Sequence, residues 1–264
     1  MVEEHFCLDD SPEFRMVELG DVTSTNDFLR NYQPVGPERR LTLVTAEYQT
    51  AGRGAGDNFW ESRRSENLLF SMLVHPRYIR AERMFVLSEV LSLAIRDALS
   101  SFTSQPFSIK WPNDIYWGNK KICGMLIEND LRGYGIENCV MGAGININQR
   151  EFDFDWTHHD GLRRMAEPVS LAQIVGEDIE RRFVLEKVIE NFTRYYSWAE
   201  EGRAKDLHEL YLSNMYRRGE QYAFCDKDGE FQGTITDVEP TGHLIIVDET
   251  GVNHRYAFKE VEYV

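Results

Sequence analysis

The stretch Thr45-Ala-Glu-Tyr-Gln-Thr-Ala-Gly-Arg-Gly-Ala-Gly-Asp-Asn-Phe-Trp60 decides how the chain is read. It follows Leu41-Thr-Leu-Val-Thr45, an apolar, β-branched run with the composition of a strand. The strand empties into Gly52, Gly54 and Gly56, with Arg53 between the first two. Glycines at this density let backbone N–H groups turn inward around an anion, and a guanidinium adds a planar cationic fork. No Gly-Lys-Ser/Thr follows, so the loop is not a Walker motif. The third glycine of a dinucleotide fingerprint would fall at Asp57, so it is not that either. An ordinary Gly-rich surface loop and an anion cradle remain equally compatible with these residues alone.

Upstream, Phe14-Arg-Met-Val-Glu-Leu19 reads as a short strand. Ser24-Thr25-Asn26 then precedes a helix-like Asp27–Tyr32, and a loop runs from Pro34 to Pro37. Capping explains one polar residue at a helix start but not the whole cluster. Downstream, Asn67–Val74 is a nearly continuous apolar run of strand length, and apolar spacing from Met84 to Phe102 predicts one long core helix.

Residues 107–128 read as a hairpin of two short strands about a turn at Gly118-Asn119. Pro112 interrupts the first strand, which suits an edge or a bulge, and leaves Lys110, Asn113, Asp114 and Lys121 as polar groups at an irregular place. Cys139–Asn148 reads as a strand broken by Gly142 and Gly144, marking a bulge or a close ligand approach before Asn146 and Asn148. Residues 149–169 are acidic and irregular, and their His158-His159 pair reads as solvated loop. Ser170-Leu-Ala-Gln173 has the form of a capping box opening a long helical segment to about Trp198. A shorter helix is expected around Asp206–Met215. From Arg217 short alternating strands at 221–225, 230–238, 243–247 and 253–258 are separated by Asp-Gly and Thr-Gly turns, predicting a small barrel or meander.

Bulk properties bound the function. The 264 residues are 42% hydrophobic and 28% charged, a globular composition with room for one or two domains. No apolar run reaches the roughly 18 residues of a membrane span, and the acidic N-terminus has no secretory layout. Cys7, Cys123, Cys139 and Cys225 lack paired spacing, as expected of free thiols in a reducing cytoplasm. A net charge of −15 disfavours nucleic acid as a partner. Acidic residues across 226–249 disfavour it for the terminal strands as well. No Ser-His-Asp or thiol–imidazole arrangement points to a nucleophilic hydrolase.

Ser-Thr-Asn, Gln-x-x-Gly-Arg-Gly, Lys-Trp-Pro-Asn-Asp, Lys-x-x-Gly-x-Leu-x-Glu and Gly-Ala-Gly-Ile-Asn occur here in this order. In this the chain resembles the biotin protein ligases, from about Phe14 to the C-terminus. The resemblance implies an α+β fold with a mixed, helix-flanked sheet of the class II synthetase type over residues 1–215, and an SH3-like barrel over 216–264. It implies activation of biotin with Mg-ATP as biotinyl-5′-AMP, then transfer to one lysine of a biotin carboxyl carrier domain. Arg53 and Lys121 are expected to hold the carboxylate and α-phosphate, whose mutual repulsion a cation must offset. Lys110, Asn113 and Asp114 match nucleotide-side residues, with Asp114 a candidate Mg²⁺ partner and the base for the carrier amine. Ser24, Thr25, Asn26, Gln49, Gly52, Gly54, Ala55, Gly124 and Gly142 match the biotin side, and Trp60 and Asn146 lie where the family contacts adenine and ribose. Arg53, Lys110, Lys121 and Asp114 are the expected catalytic set.

Two departures carry expectations. The chain begins where the catalytic domain of the family's repressor-ligases would begin, so DNA regulation is not implied. Ala55 replaces the long polar side chain usual after Gly-Arg-Gly, which implies looser retention of the adenylate. A lipoate ligase or lipoyl transferase, and a non-catalytic biotin-binding protein, are the alternatives; a monomer or a homodimer is compatible with either.

Overall fold

The computed structural model describes residues 14–33, 40–56, 59–152 and 166–264. Cys7, the Pro34–Pro37 loop and the acidic segment with His158-His159 fall outside the described residues, apart from the ends of that segment. The chain divides into two compact units. One comprises Met1–Ala81, Ile122–Glu151 and Val169–Glu186; the other comprises Glu82–Lys121, Phe152–Pro168 and Lys187–Val264.

The first unit is a mixed sheet. Strands β1 (Phe14–Val22) and β2 (Leu41–Gln49) pair in parallel. Strand β3 (Leu68–Val74) pairs antiparallel with β2 on one side and with β7 (Gly135–Ile145) on the other. Strand β6 (Lys120–Arg132) pairs antiparallel with β7. Nearly every residue of β3 is buried, as its unbroken apolar run requires of a strand covered on both faces. Helix α1 (Thr25–Asn31) lies on this sheet through Leu29, which packs with Val17, Val44 and Val140. Ser24 caps it, accepting from the Asp27 amide, so the polar cluster does include a cap.

Two expectations change here. The glycines of β7 form no bulge: the register runs unbroken from Val140 to Ile145 against both neighbours, and the only shift in the β6–β7 ladder lies between Asp130 and Leu131. The glycines serve close packing instead, as the site shows. The expected single helix from Ser170 is two. The capping box of Ser170 and Gln173 is present, but α3 (Leu171–Val175) stops at Gly176, whose φ of 95° is left-handed. Helix α4 (Arg181–Glu200) then starts afresh.

The second unit holds α2 (Phe85–Ser100), the hairpin of β4 (Phe107–Lys110) and β5 (Asp114–Trp117), and α5 (Ala204–Ser213). Twelve of the sixteen residues of α2 are buried, as the wide apolar face predicts. Pro112 does not interrupt a strand. Trp111-Pro112-Asn113, with a cis Trp111–Pro112 bond, is the turn between β4 and β5, and Gly118-Asn119 is the next turn, before β6. A proline without an N–H fits a turn that needs no ladder donor.

The C-terminal strands are β8 (Gln221–Asp226), β9 (Gly229–Val238), β10 (Leu244–Asp248), β11 (Asn253–Tyr256) and β12 (Glu262–Tyr263). They form a five-stranded antiparallel sheet ordered β11-β10-β9-β8-β12. The two-residue β12 was too short to leave a pattern in the sequence. No helix of the described residues is long and apolar enough to cross a membrane.

Candidate functional site

In the first unit, the residues expected on the acid side gather around the start of α1. Thr25 and Asn26 are buried in the helix's first turn. The Thr25 amide donates to Gln49 Oε1 at 2.8 Å, and Thr25 Oγ1 lies 3.1 Å from the same atom. Ser71, fully buried on β3, stands 2.7 Å from Thr25 Oγ1 and 2.6 Å from Asn26 Oδ1. Asn26 Nδ2 donates to Glu128 Oε2 at 2.9 Å and to the Leu126 carbonyl at 3.2 Å. One continuous file of polar groups therefore runs Gln49–Thr25–Ser71–Asn26–Glu128, its middle three members buried and its two ends half-buried.

The β7 glycines make room for this file. A Cβ on Gly142 would stand 2.0 Å from Asn26 Oδ1, and one on Gly144 would stand 2.3 Å from the indole of Trp60. Gly124 faces Gly144 across the β6–β7 ladder, so the strands are bare where the indole lies. Trp60 is fixed from its own side by a 3.0 Å bond from its amide to the Gly52 carbonyl. A Cβ on Gly52 would meet the Trp60 carbonyl at 2.4 Å. Only glycine fits at these three positions.

Arg53 leaves the loop beside this file. Its Nη2 donates to Glu128 Oε1 at 2.9 Å, and its Nη1 meets Asp27. Arg30 Nη1 reaches Glu128 at 2.8 Å. Hydrogen bonding to Glu128 pushes the Arg53 pKa further up. Burial alone would raise the Glu128 carboxyl, but hydrogen bonds from Asn26 and Arg53, with the Arg53 charge, hold it below the usual range. In this structure the loop's cation is neutralised by two carboxylates of its own chain. Gly54 and Ala55 continue the loop, and Gly56 takes a φ of 68°.

Asn146, just past β7, is buried. Its amide donates to the Ile122 carbonyl at 2.9 Å and its Nδ2 to the Val169 carbonyl at 3.2 Å. Its Oδ1 is buried and has no hydrogen-bond partner among the described residues.

In the second unit the charged residues converge. Lys110 and Asp114 are cross-strand partners at the two ends of the Trp-Pro-Asn turn, where Asn113 also sits. Lys121 Nζ pairs with Asp114 Oδ1 at 2.8 Å. Lys110 Nζ bonds the Tyr116 hydroxyl at 3.3 Å and lies 5.2 Å from that ring's centroid and 4.7 Å from the centroid of Tyr263 on β12. Burial among these rings lowers the Lys110 pKa; Asp114 opposes this and Lys121 adds to it. The two lysines and the carboxylate that the sequence left unoriented thus share one place.

Sequence reasoning missed Ser71, which is the one polar residue in Leu68-Leu-Phe-Ser-Met-Leu-Val74 and so carried a legible signal. It also gave no role to Glu128, although the motif ending at Glu128 was noted. Tyr116 and Tyr263 were invisible, because only the folded chain brings β12 to Lys110.

Residues 19–146 match the biotin/lipoate A/B protein ligase family model. The bifunctional ligase/repressor BirA of Bacillus spizizenii is 28% identical over 237 residues, covering 89% of this chain and 68% of that one. The biotin protein ligase of Aquifex aeolicus, solved with biotin and ATP, superposes with a TM-score of 0.74 at 29% identity, covering 94% of this chain and 99% of that one. Its R40G mutant with biotin gives 0.72 at 30% identity, covering 94% and 97%. The chain belongs to the biotin/lipoate protein ligase family. It is an enzyme, a ligase, and both of these solved structures are of a biotin protein ligase.

Proposed function

We propose that the chain is a biotin–[biotin carboxyl-carrier protein] ligase that uses Mg-ATP. A biotin carboxylate oxygen attacks the α-phosphorus of ATP, pyrophosphate leaves, and biotinyl-5′-AMP forms. The amine of one carrier lysine then attacks the acyl carbon, AMP leaves, and the amine loses a proton. The observation that carries this reading is Arg53 standing beside the Thr25–Asn26–Gln49 file. A mobilisable cation next to directed neutral groups suits a ligand with a polar, uncharged ring and an anionic tail.

In this reading Ser24, Thr25, Asn26 and Gln49 form the ring side, with Gly52, Gly54, Ala55, Gly124 and Gly142 the backbone close to the ligand. Arg53 and Lys121 take the carboxylate and α-phosphate. Lys110, Asn113 and Asp114 act on the nucleotide. Trp60 and Asn146 receive adenine and ribose; the open Oδ1 of Asn146 suits the amino donor of adenine. Among the described residues no three His, Cys, Asp or Glu cluster to hold an ion by protein ligands alone. Mg²⁺ would arrive as Mg-ATP, with Asp114 as the protein carboxylate that meets it. Asp114 is also the base for the carrier amine, so Asp114→Ala supplied with preformed adenylate is expected to lose transfer, and intact transfer overturns that role. The segment 216–264 is read as the SH3-like barrel module; its five strands pair antiparallel in an open order with β11 and β12 at the edges. The enzyme works in the cytoplasm, where its carrier and ATP are found.

Purified protein, biotin, Mg-ATP and a carrier domain are expected to give a biotinylated lysine, and Lys121→Ala should reduce the rate about 100-fold or more. Absence of product with the native protein, or pyrophosphate release with lipoate in preference to biotin, overturns the reading.

A further inference from the structure

The file Gln49–Thr25–Ser71–Asn26–Glu128 can be counted proton by proton. At one end, the Glu128 carboxylate and the Leu126 carbonyl both only accept, and both face the same atom of Asn26. That atom must be the amide nitrogen. Asn26 therefore turns its oxygen to Ser71, at 2.6 Å, and the single Ser71 proton goes there. Ser71 Oγ has none left for Thr25 at 2.7 Å, so Thr25 supplies that one. The shorter contact takes the Thr25 proton in preference to Gln49 Oε1 at 3.1 Å. Gln49 is oriented independently, because the Thr25 N–H at 2.8 Å requires an oxygen.

Three contacts thus share two protons, and Thr25 Oγ1 and Gln49 Oε1 face each other with lone pairs. Were Asn26 inverted, its amide would donate to Ser71, and Ser71 and Thr25 could pass their protons on to Gln49; what opposes this is that the Asn26 oxygen would then face the Glu128 carboxylate and the Leu126 carbonyl. Glu128 stays ionised despite partial burial, because Asn26 and Arg53 bond to it.

We propose that Glu128 is a positioning residue that sets the polarity of this file, leaving it one donor short and so specifying a ligand ring that carries an N–H. The inference rests on the proposed function, since it takes the file as the ring side of the acid site. A cyclic urea supplies the missing donor at the Thr25–Gln49 pair; a dithiolane does not. Two acceptors facing each other with no proton between them discriminate against an analogue lacking the donor. Selection of biotin over lipoate is then written at Glu128, a residue that need not touch the ring.

The test is the ratio of affinities for biotin and lipoic acid, measured by competition in the full-length protein. Both acids carry the same carboxylate, so changes at Arg53, Arg30 and Asp27, the charged groups around Glu128, weaken both alike and cancel. Glu128→Gln should lower the biotin-to-lipoate ratio about tenfold or more, because an amide can donate to an inverted Asn26 and leaves only the longer Leu126 contact opposing the inversion. Glu128→Asp should keep the native ratio while weakening both acids. Ser71→Ala should also lower the ratio, since Thr25 is then free to donate to Gln49. An unchanged ratio in Glu128→Gln, or equal ratios in the Gln and Asp variants, overturns the inference. Native protein that binds neither acid overturns the proposed function itself and is recognised before any variant is made.

Discussion

His208, on α5, fastens three elements of the second unit, and its titration should be measurable as stability. Its Nδ1 lies 2.6 Å from Glu89 on α2, and its Nε2 lies 2.8 Å from Asp237 on β9. Glu89 is buried and Asp237 is exposed. Carboxylates on both ring nitrogens demand two N–H donors, hence an imidazolium. The pKa is accordingly pushed up from 6.5 to about 9, through the hydrogen bond to Glu89 first, with burial opposing. An imidazole moved from 6.5 to about 9 is worth roughly 3 kcal/mol, or about 2–3 once the exposed Asp237 side is discounted for screening. Because the folded pKa is raised, the contribution is fully present below pH 6.5. It declines as the unfolded chain loses its proton, and it is gone above about 9. Burial raises the Glu89 carboxyl as well, and a raised group changes stability with pH in the same sense. Urea unfolding from pH 6 to 9.5 should therefore show the native protein losing about 2–3 kcal/mol more than His208→Gln, which keeps a donor for Glu89 but cannot titrate. Parallel pH profiles for the two proteins would refute the imidazolium.

Further predictions follow from geometry. Gly142→Ala places a methyl 2.0 Å from Asn26 Oδ1 on a strand pinned from both sides, so biotin affinity should fall by about 100-fold and stability by about 1–3 kcal/mol. Calorimetric titration and urea unfolding read both. Gly144→Ala displaces the Trp60 indole instead, and should raise the KM for ATP while leaving biotin affinity within about threefold. Tyr263→Leu removes a ring 4.7 Å from Lys110 Nζ and should raise the KM for ATP about three- to tenfold. Tyr263→Phe, which removes a buried hydroxyl with no hydrogen-bond partner among the described residues, should not. Ala55→Arg adds a long polar side chain to the loop and should slow release of the adenylate, measured by chase with unlabelled biotin.

Much of the fold was legible because its elements carry strong periodic signals. The nearly continuous apolar run at 67–74 is a central strand, the spacing from Phe85 is a buried helix, and Ser170/Gln173 is a capping box. The errors have one origin. Pro112 as an interruption, and the bulge alternative for Gly142 and Gly144, were read from what these residues do to their own strand, whereas their positions answer to something elsewhere. Pro112 turns the chain so that Lys110 meets Asp114, and the two glycines yield space to Asn26 and Trp60. Local pattern gives an element's existence, and long-range packing decides why a particular residue interrupts it. The same applies to Glu128. Its motif was visible, but its partners Asn26, Arg30 and Arg53 lie 102, 98 and 75 positions away.

That distance explains how one carboxylate serves two ends. Arg53 is paired to Glu128 and Asp27 in a partly exposed setting, where an ion pair is worth little net. Exchanging these partners for a ligand carboxylate and phosphate costs about what it returns, so the arginine is stored in place without being locked. Asn26, on the other side of Glu128, is buried, and there the same carboxylate fixes an orientation that water cannot relax. A neutral glutamine at 128 would free Arg53 only slightly but would release the polarity of the whole file. Glu128 is therefore expected to influence which acid is bound more than how fast the bound acid reacts.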